Sequence, residues 1–450
     1  MGQWNFDTPA AQASLAVVQK LRKGGYDALL VGGCVRDMIL GHDPGDFDVA
    51  TNARPDAIAS LFPHTFPVGA KFGVMLVLDG EQKTEVATFR SDGAYRDHRH
   101  PDSVVFSNAE NDAQRRDFTV NGLFYDTEAR DVVDFVGGVA DIEKRVIRCI
   151  GNPGDRFNED ALRLLRAARF ASSLGFEVEP ETLSAIQKLV HTIVSISAER
   201  VREELIKGLT RANPDRFIRL LDQMGLLEII LPEVAKCKGV EQPPAFHPEG
   251  DVYVHTLLML GLLPPNPSLE LAFATLLHDI GKPPTMTITD RIRFNQHQQV
   301  GAQMADVICR RLAFSNDQRE AIVAMVDRHM DFMNIKRMRE STLRRFLAAP
   351  TIDDEVALHR VDCLGSHGDL DNYEFALERL AAIRAEEPAG NLPPPLVTGD
   401  DLIALGKKPG PAFRKILTAV QDAQLESRVS NRDEALAMLR NLAEQESVNS

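Results

Sequence analysis

The sequence is short of several features that would each have assigned its class. Its five cysteines, Cys34, Cys149, Cys237, Cys309 and Cys363, are scattered through 450 residues with no C-x-x-C pair. That spacing argues against a disulfide framework or a zinc knuckle. The longest apolar runs, such as TLLMLGLL, fall far short of the ~20 residues a membrane-spanning helix needs. The opening MGQWNFDTPAAQ has no basic n-region and no apolar h-region, so a signal peptide is not expected. These readings predict a cytoplasmic protein. There is no excess of positive charge either. The net charge is -14, which taken alone disfavours non-specific binding to nucleic acid. Internal repeats and low-complexity segments are also lacking.

What is present is ordinary for a soluble globular chain, with 44% hydrophobic and 26% charged residues. The length predicts two to four domains, each able to bury a core without covalent staples. Arginine clusters in AQRRDF, EDALRLLRAARF and STLRRFL predict basic patches on an acidic body.

The first ~150 residues alternate between helical and strand periods. DTPAAQASLAVVQKLRKGG reads as a helix stopped by Gly24-Gly25, DALLVGG as a buried strand, and VRDMILG as a short helix. DFDVAT reads as a strand, and GVMLVLDGEQKTEVATF as a hairpin turning at Asp79-Gly80. The polar stretch RSDGAYRDHRHPDSV reads as a long functional loop. From about Asn158 a helical period runs to the end, beginning with EDALRLLRAARFASSLG as one strong helix. Proline-rich breaks at EQPPAFHPEGD and EEPAGNLPPPLVTGDD divide it, and KKPGP turns a C-terminal helical hairpin.

The most restrictive stretch is GGCVRDMILGHDPGDFDVAT, Gly32 to Thr51. On a strand, residues two apart share a face, so Asp46 and Asp48 would aim both carboxylates at one point. Such a pair suits Mg²⁺, which takes oxygen ligands from carboxylates and substrate phosphates. Gly32 and Gly33 let the backbone approach a triphosphate, the following helix start favours anions, and Arg36 can reach the same phosphates.

This segment resembles the head signature of the class II nucleotidyltransferases, the family of CCA-adding tRNA nucleotidyltransferases and bacterial poly(A) polymerases. VGAKFGVMLV, EVATFRSDGAYRDHRHPDSVVF, RRDFTVNGLFYD and EDALRLLRAARFA carry the likeness onward, over roughly Leu29 to Glu181. The resemblance implies that Asp46 and Asp48 hold catalytic Mg²⁺, with Glu85 as candidate third carboxylate. It assigns base reading to Asp160 and Arg163 in EDALR. One acceptor and one donor, expected at i and i+3 on one helix face, would match the amino donor and ring acceptor that cytosine and adenine share. Uracil and guanine present the reverse, and unpaired buried groups cost ~1–3 kcal/mol each. Arg166 and Arg169 are expected to bind triphosphate or pair with Glu159. Arg116 matches a position near the nucleotide, with Asp117 and Asn121 ordering it.

A second constellation comprises His255, the HDIGKP motif with His278 and Asp279, and Asp362. It resembles the HD phosphohydrolase superfamily, with His297 and His329 at accessory positions and Gln298 where an acidic residue is common. Histidine with carboxylate suits Ni, Mn, Fe or Zn. In the final helices, Lys407, Lys408, Arg414 and Lys415 are candidate tRNA phosphate contacts.

The expected fold is α+β, a small mixed-sheet nucleotidyltransferase head followed by an all-α neck, body, HD domain and helical tail. The expected boundaries are a head over 1–150, a neck and body over 151–240, an HD domain over 241–385 and a tail over 386–450. The expected function is Mg²⁺-dependent, template-independent addition of CMP and AMP, from CTP and ATP, to the 3′ end of tRNA. A poly(A) polymerase and a C-only or A-only enzyme remain open alternatives within the family. From other classes, the rivals are an HD phosphohydrolase acting on RNA ends and a non-catalytic RNA-binding protein.

Overall fold

A computed structural model describes residues 4, 6–69, 73–93, 104–244, 246–386 and 392–448. Most of the expected polar loop, at 94–103, lies outside the described residues. The chain divides into two compact units. The first runs to Ala235 and takes in Arg310–Phe314, and the second starts at Lys236 and holds the rest. Among the described residues, no helix is long and apolar enough to cross a membrane.

The first unit opens with α1 (Pro9–Lys23), capped by Thr8, whose hydroxyl accepts from Ala11 N at 3.3 Å. Its buried residues Ala11, Ser14, Val18 and Leu21 recur at helical spacing and form the face laid on the sheet. The chain then runs through β1 (Ala28–Val31), α2 (Gly33–Ile39), β2 (Asp48–Thr51), α3 (Pro55–Leu61), β3 (Thr65–Gly69), β4 (Val74–Asp79) and β5 (Gln82–Thr88). A small pair, β6 (Arg90–Asp92) and β7 (Val104–Phe106), precedes α4 (Ala109–Gln114), β8 (Leu123–Asp126) and β9 (Asp131–Asp134). The seven-stranded sheet has the order β3-β4-β5-β2-β1-β8-β9. It is mixed, because β2 pairs parallel with β5 and antiparallel with β1. The α+β expectation for the head is met, and β2 lies at its centre.

After α5 (Gly138–Lys144) and β10 (Val146–Ile147), the first unit becomes helical: α6 (Pro153–Glu159), α7 (Leu162–Leu174), β11 (Glu177–Val178), α8 (Pro180–Leu189) and α9 (Ala198–Leu209). Three expectations need correction here. EDALRLLRAARFASSLG is not one helix. Asp160 is extended (φ -145°, ψ 102°), and its carboxylate accepts from Leu162 N at 3.1 Å, an Asx-type competition that breaks the helix between α6 and α7. The helical period after Asn158 is also interrupted, by β11 and by the hairpin β12 (Met286–Ile288) and β13 (Ile292–Phe294). Finally, the C-terminal hairpin is a three-helix unit of Gly399–Ala404, Pro411–Leu425 and Arg432–Val448. KKPGP turns between the first two, and Leu402, Val420, Ala435 and Leu439 form their common core.

The second unit is helical apart from that hairpin. Val252–Gly261, Leu269–Leu277, Asn316–Arg328 and Ile352–Gly365 pack through Met259, Leu271, Ala274, Met325, Leu358 and Val361. This core carries the second constellation of side chains.

Candidate functional sites

In the head, Asp46 lies just before β2 rather than in it, and the strand begins at Asp48. The alternation expected of a strand still holds. Phe47 is buried beneath α1, where its carbonyl accepts from Ser14 Oγ at 3.1 Å, while Asp46 is exposed and Asp48 half-buried. In the parallel β2–β5 register, Val49 faces Val86, so Asp48 and Glu85 are the preceding neighbours on the two strands. Thr84 turns inward and is buried, which leaves Glu85 turned outward and exposed. The carboxylates act on one another. Burial, then Glu85, then Asp46 push the Asp48 carboxyl up to about 7, and Arg116 opposes them. Asp48 and Glu85 thus stand on neighbouring strands, as the reading of Glu85 as a third carboxylate requires.

Gly32 ends β1 with φ 78°. A side chain there would be strained, and its Cβ would lie 3.1 Å from Arg116 Nη1. Arg116 is held by Asp112, with Nε at 3.2 Å and Nη2 at 3.1 Å from Oδ2. The same buried carboxylate holds Arg115 at 2.7 Å. Asn121 bridges two of the expected residues, accepting from Arg36 Nη1 at 2.6 Å and donating to Asp117 at 3.1 Å. Asp117 in turn takes Arg166 Nε at 2.8 Å. Burial alone would raise the Asp117 carboxyl, but the Arg166 charge and the Asn121 hydrogen bond outweigh it and hold the group well below the usual carboxylate range.

The two expected base readers are each partnered. Asp160 receives a bidentate grip from Arg200 of α9, at 2.7 and 3.2 Å. Arg163 is buried and donates to Glu159 at 2.8 Å and to the carbonyls of Arg156 and Arg115. Arg156 ties the carbonyls of Arg115 and Arg116 to the same end of α6. One polar network thus runs through residues 112–121 to the α6–α7 break. The expected pairing of Arg166 and Arg169 with Glu159 does not form. Arg156 and Arg163 take Glu159, while Arg169 binds Glu204 at 2.5 Å over the ring of Phe170. The expected basic patches are likewise consumed by ion pairs, down to Arg344 with Glu340 and Arg345 with Asp422. Sequence reasoning missed Asp112, Arg156, Arg200 and Glu204. Arg200 and Glu204 lie in AERVREEL, which gave no signal beyond helical periodicity.

In the second unit the four expected residues come together with both accessory histidines. His255 Nε2 lies 3.1 Å from Asp362 Oδ1. Burial disfavours its charged form, yet bonds to Asp362 and Glu249 raise the imidazole to about 9. His278 Nε2 is 3.1 Å from Asp279 Oδ2, and both atoms are buried without a well-directed hydrogen bond. Asp279 also faces Lys282 at 2.6 Å and His297 at 3.4 Å, and His297 meets His329 at 3.2 Å. Ligand atoms lie within 4.8 Å of one another in three groups: His255–His278–Asp279, Asp279–His297–His329 and His247–Glu249–His255. These buried imidazoles and carboxylates, with His278 Nε2 lacking a well-directed hydrogen bond, fit a metal ion with mixed N and O ligands. A cavity of about 470 Å³ opens over His278, Asp279 and Asp362, with Lys282, Arg291 and Arg293 in its wall.

The poly A polymerase head domain family matches residues 28–148, a family described as the probable RNA and SrmB-binding site of polymerase A matches 175–238, and the HD domain matches 253–364. A CCA-adding enzyme of Geobacillus stearothermophilus is 43% identical over 219 residues, 48% of this chain and 54% of that protein. One from Limosilactobacillus reuteri is 40% identical over 230 residues, 51% of this chain and 55% of that protein. The chain spans about half the length of the curated relatives it matches. A solved structure of the Bacillus stearothermophilus CCA-adding enzyme in complex with CTP aligns over 98% of this chain and 100% of its own, with TM-score 0.77 and 28% identity. Thermotoga maritima CCA-adding enzyme complexed with tRNA-CCA shares the fold at TM-score 0.57 and 17% identity, over 97% and 96% of the two chains.

Proposed function

From a chain that joins a poly A polymerase head, a polymerase RNA-binding region and an HD domain, we propose a class II nucleotidyltransferase that completes the 3′ end of tRNA. It adds CMP and AMP from CTP and ATP without a nucleic-acid template, and works in the cytoplasm. The observation that carries this reading is the placement of Asp48 on β2 beside Glu85 on the parallel neighbour β5, with Asp46 two residues ahead and the Arg116 charge acting on Asp48. The names of the relatives and of the CTP-bound neighbour support it.

The oxygen-only donor set, with Asp48 raised by its neighbours, fits Mg²⁺ held by Asp46, Asp48 and Glu85. Bound there, Mg²⁺ would neutralise triphosphate charge and lower the pKa of the tRNA 3′-hydroxyl. The chain's own residues supply position and charge. Gly32 leaves room beside Arg116 for a phosphate, and Asn121 keeps Arg36 and Asp117 in register. The 3′-hydroxyl oxygen attacks the α-phosphorus as its proton passes to solvent, the bond from that phosphorus to the α–β bridging oxygen breaks, and pyrophosphate leaves with that oxygen. Asp160 retains acceptor capacity beside its Arg200 contact, since a carboxylate offers about four lone-pair sites. With Arg163 as donor, it would accept the shared edge of cytosine and adenine. No covalent enzyme intermediate is required, so catalysis rests on positioning and electrostatics.

A second activity is favoured by the histidine cluster and its cavity, namely HD phosphohydrolase action on RNA ends with a transition metal held by His255, His278, Asp279 and Asp362. The two activities are separable by Asp46→Ala. Nucleotide incorporation into tRNA should disappear while metal-dependent hydrolysis of a 3′-phosphorylated RNA survives. Incorporation at the wild-type rate by Asp46→Ala would overturn the head assignment.

A further inference from the structure

Residues 239–252 lie between the stretches matched by the RNA-binding and HD families. In sequence they are a proline-rich break. In the structure this segment, described except for residue 245, folds back on itself. Gln242 N donates to Gly250 O at 2.8 Å, Val252 N to Val240 O at 3.1 Å, and Glu241 bridges Asp251. Asp251 then caps the helix Val252–Gly261, accepting from Val254 N at 3.0 Å, and this helix carries His255.

The folded segment sends two side chains to the metal-ligand candidates. Glu249 Oε1 lies 2.8 Å from His255 Nδ1, the nitrogen turned away from Asp362, and 2.9 Å from His247 Nδ1. Gln242 Oε1 accepts from Lys282 Nζ at 2.6 Å, and Lys282 faces Asp279 at 2.6 Å. Glu249 Oε2 and Gln242 Nε2 remain buried without partners. His247 lines the cavity, whereas Glu249 and Gln242 do not.

We infer that this segment is an orienting element for the HD metal centre, with Glu249 and Gln242 as positioning residues. Glu249 accepts the Nδ1 proton of His255, fixing the tautomer in which Nε2 is the free ligand nitrogen. Gln242 holds Lys282 and, through it, the Asp279 carboxylate. Outer carboxylates of this kind fix ring orientation and raise ligand basicity. The inference rests on the HD reading above.

The test is a Co²⁺ titration of metal-free full-length chain, followed by visible absorption. An Asp46→Ala/Asp48→Ala background removes competition from the head. Glu249→Ala should weaken Co²⁺ binding by ~10–100-fold and change the absorption band, the scale seen when outer-shell partners are lost. Glu249→Gln, which keeps an acceptor without the charge, should fall between Glu249→Ala and the parent, and Gln242→Ala should weaken binding less than Glu249→Ala. Parent-like affinity and spectrum in Glu249→Ala would overturn the inference. If Glu249→Ala loses its circular dichroism signal, Glu249→Gln decides, and parent-like binding by it would overturn the inference equally. A parent that binds no Co²⁺ would instead overturn the HD metal reading on which the inference depends.

Discussion

Asp48 is the residue on which the proposed head chemistry turns. Its carboxyl stands at about 7, against 3.8 for an ordinary aspartate, because of burial and two nearby carboxylates. A carboxyl raised in the folded state binds its proton longer than the unfolded chain does. Stability is therefore lost as pH rises between those two values. Asp48→Asn should stabilise the metal-free protein at pH 8 by about 1–3 kcal/mol, after discount for partial exposure, and by less at pH 5. Urea unfolding at both values checks this, and equal effects would contradict the carboxylate cluster. The same variant should lose nucleotide addition by on the order of 10²–10³-fold, the scale of removing one transition-state charge stabiliser. At Asp160, loss of one buried pairing partner should cut selectivity against UTP and GTP by about 10–100-fold in Asp160→Ala. Arg200→Lys, which gives up the bidentate grip, should cause a smaller drop. Single-nucleotide incorporation with each of the four triphosphates measures both.

At the scale of elements, local signals were legible where one rule dominated. Gly24-Gly25 ended α1 and Asp79-Gly80 turned the β4–β5 hairpin, whereas the strand expected over DALLVGG stops at Val31, before Gly32 turns with a positive φ. The α6–α7 break was not legible, because helical periodicity on both sides of Asp160 masked a competition won by one carboxylate and one backbone amide. Nor could periodicity show that Asp112, Glu159 and Glu204 would each draw in an arginine from the expected basic clusters. Gly281 shows how tightly the HD elements meet. A Cβ there would collide with the carbonyl of His297 and lie 2.6 Å from Gly301 N. Neither backbone can yield as a flexible side chain would. Gly281→Ala should destabilise the second unit by about 1–3 kcal/mol or more. Thermal unfolding followed by circular dichroism tests it, and an unchanged melting temperature would contradict the close approach.

At the scale of the whole molecule, the two proposed chemistries would share one acidic chain of net charge -14. The motifs made both readable: D-x-D with EDALR for the first, and HDIGKP with a distant His and Asp for the second. What they could not convey was the electrostatic state of each site, which depends on partners far away in sequence, such as Arg200 for Asp160 and Arg166 for Asp117. The central claim is nucleotide addition without a template that stops after a defined sequence. It is tested most directly by incubating purified protein and Mg²⁺ with tRNA transcripts lacking CCA, CA or A. Each is supplied with CTP, ATP or both and resolved on a sequencing gel. The account predicts stepwise addition of two C and one A, then a stop. A long ladder of A, addition of C alone or A alone, or no addition to any transcript would contradict it.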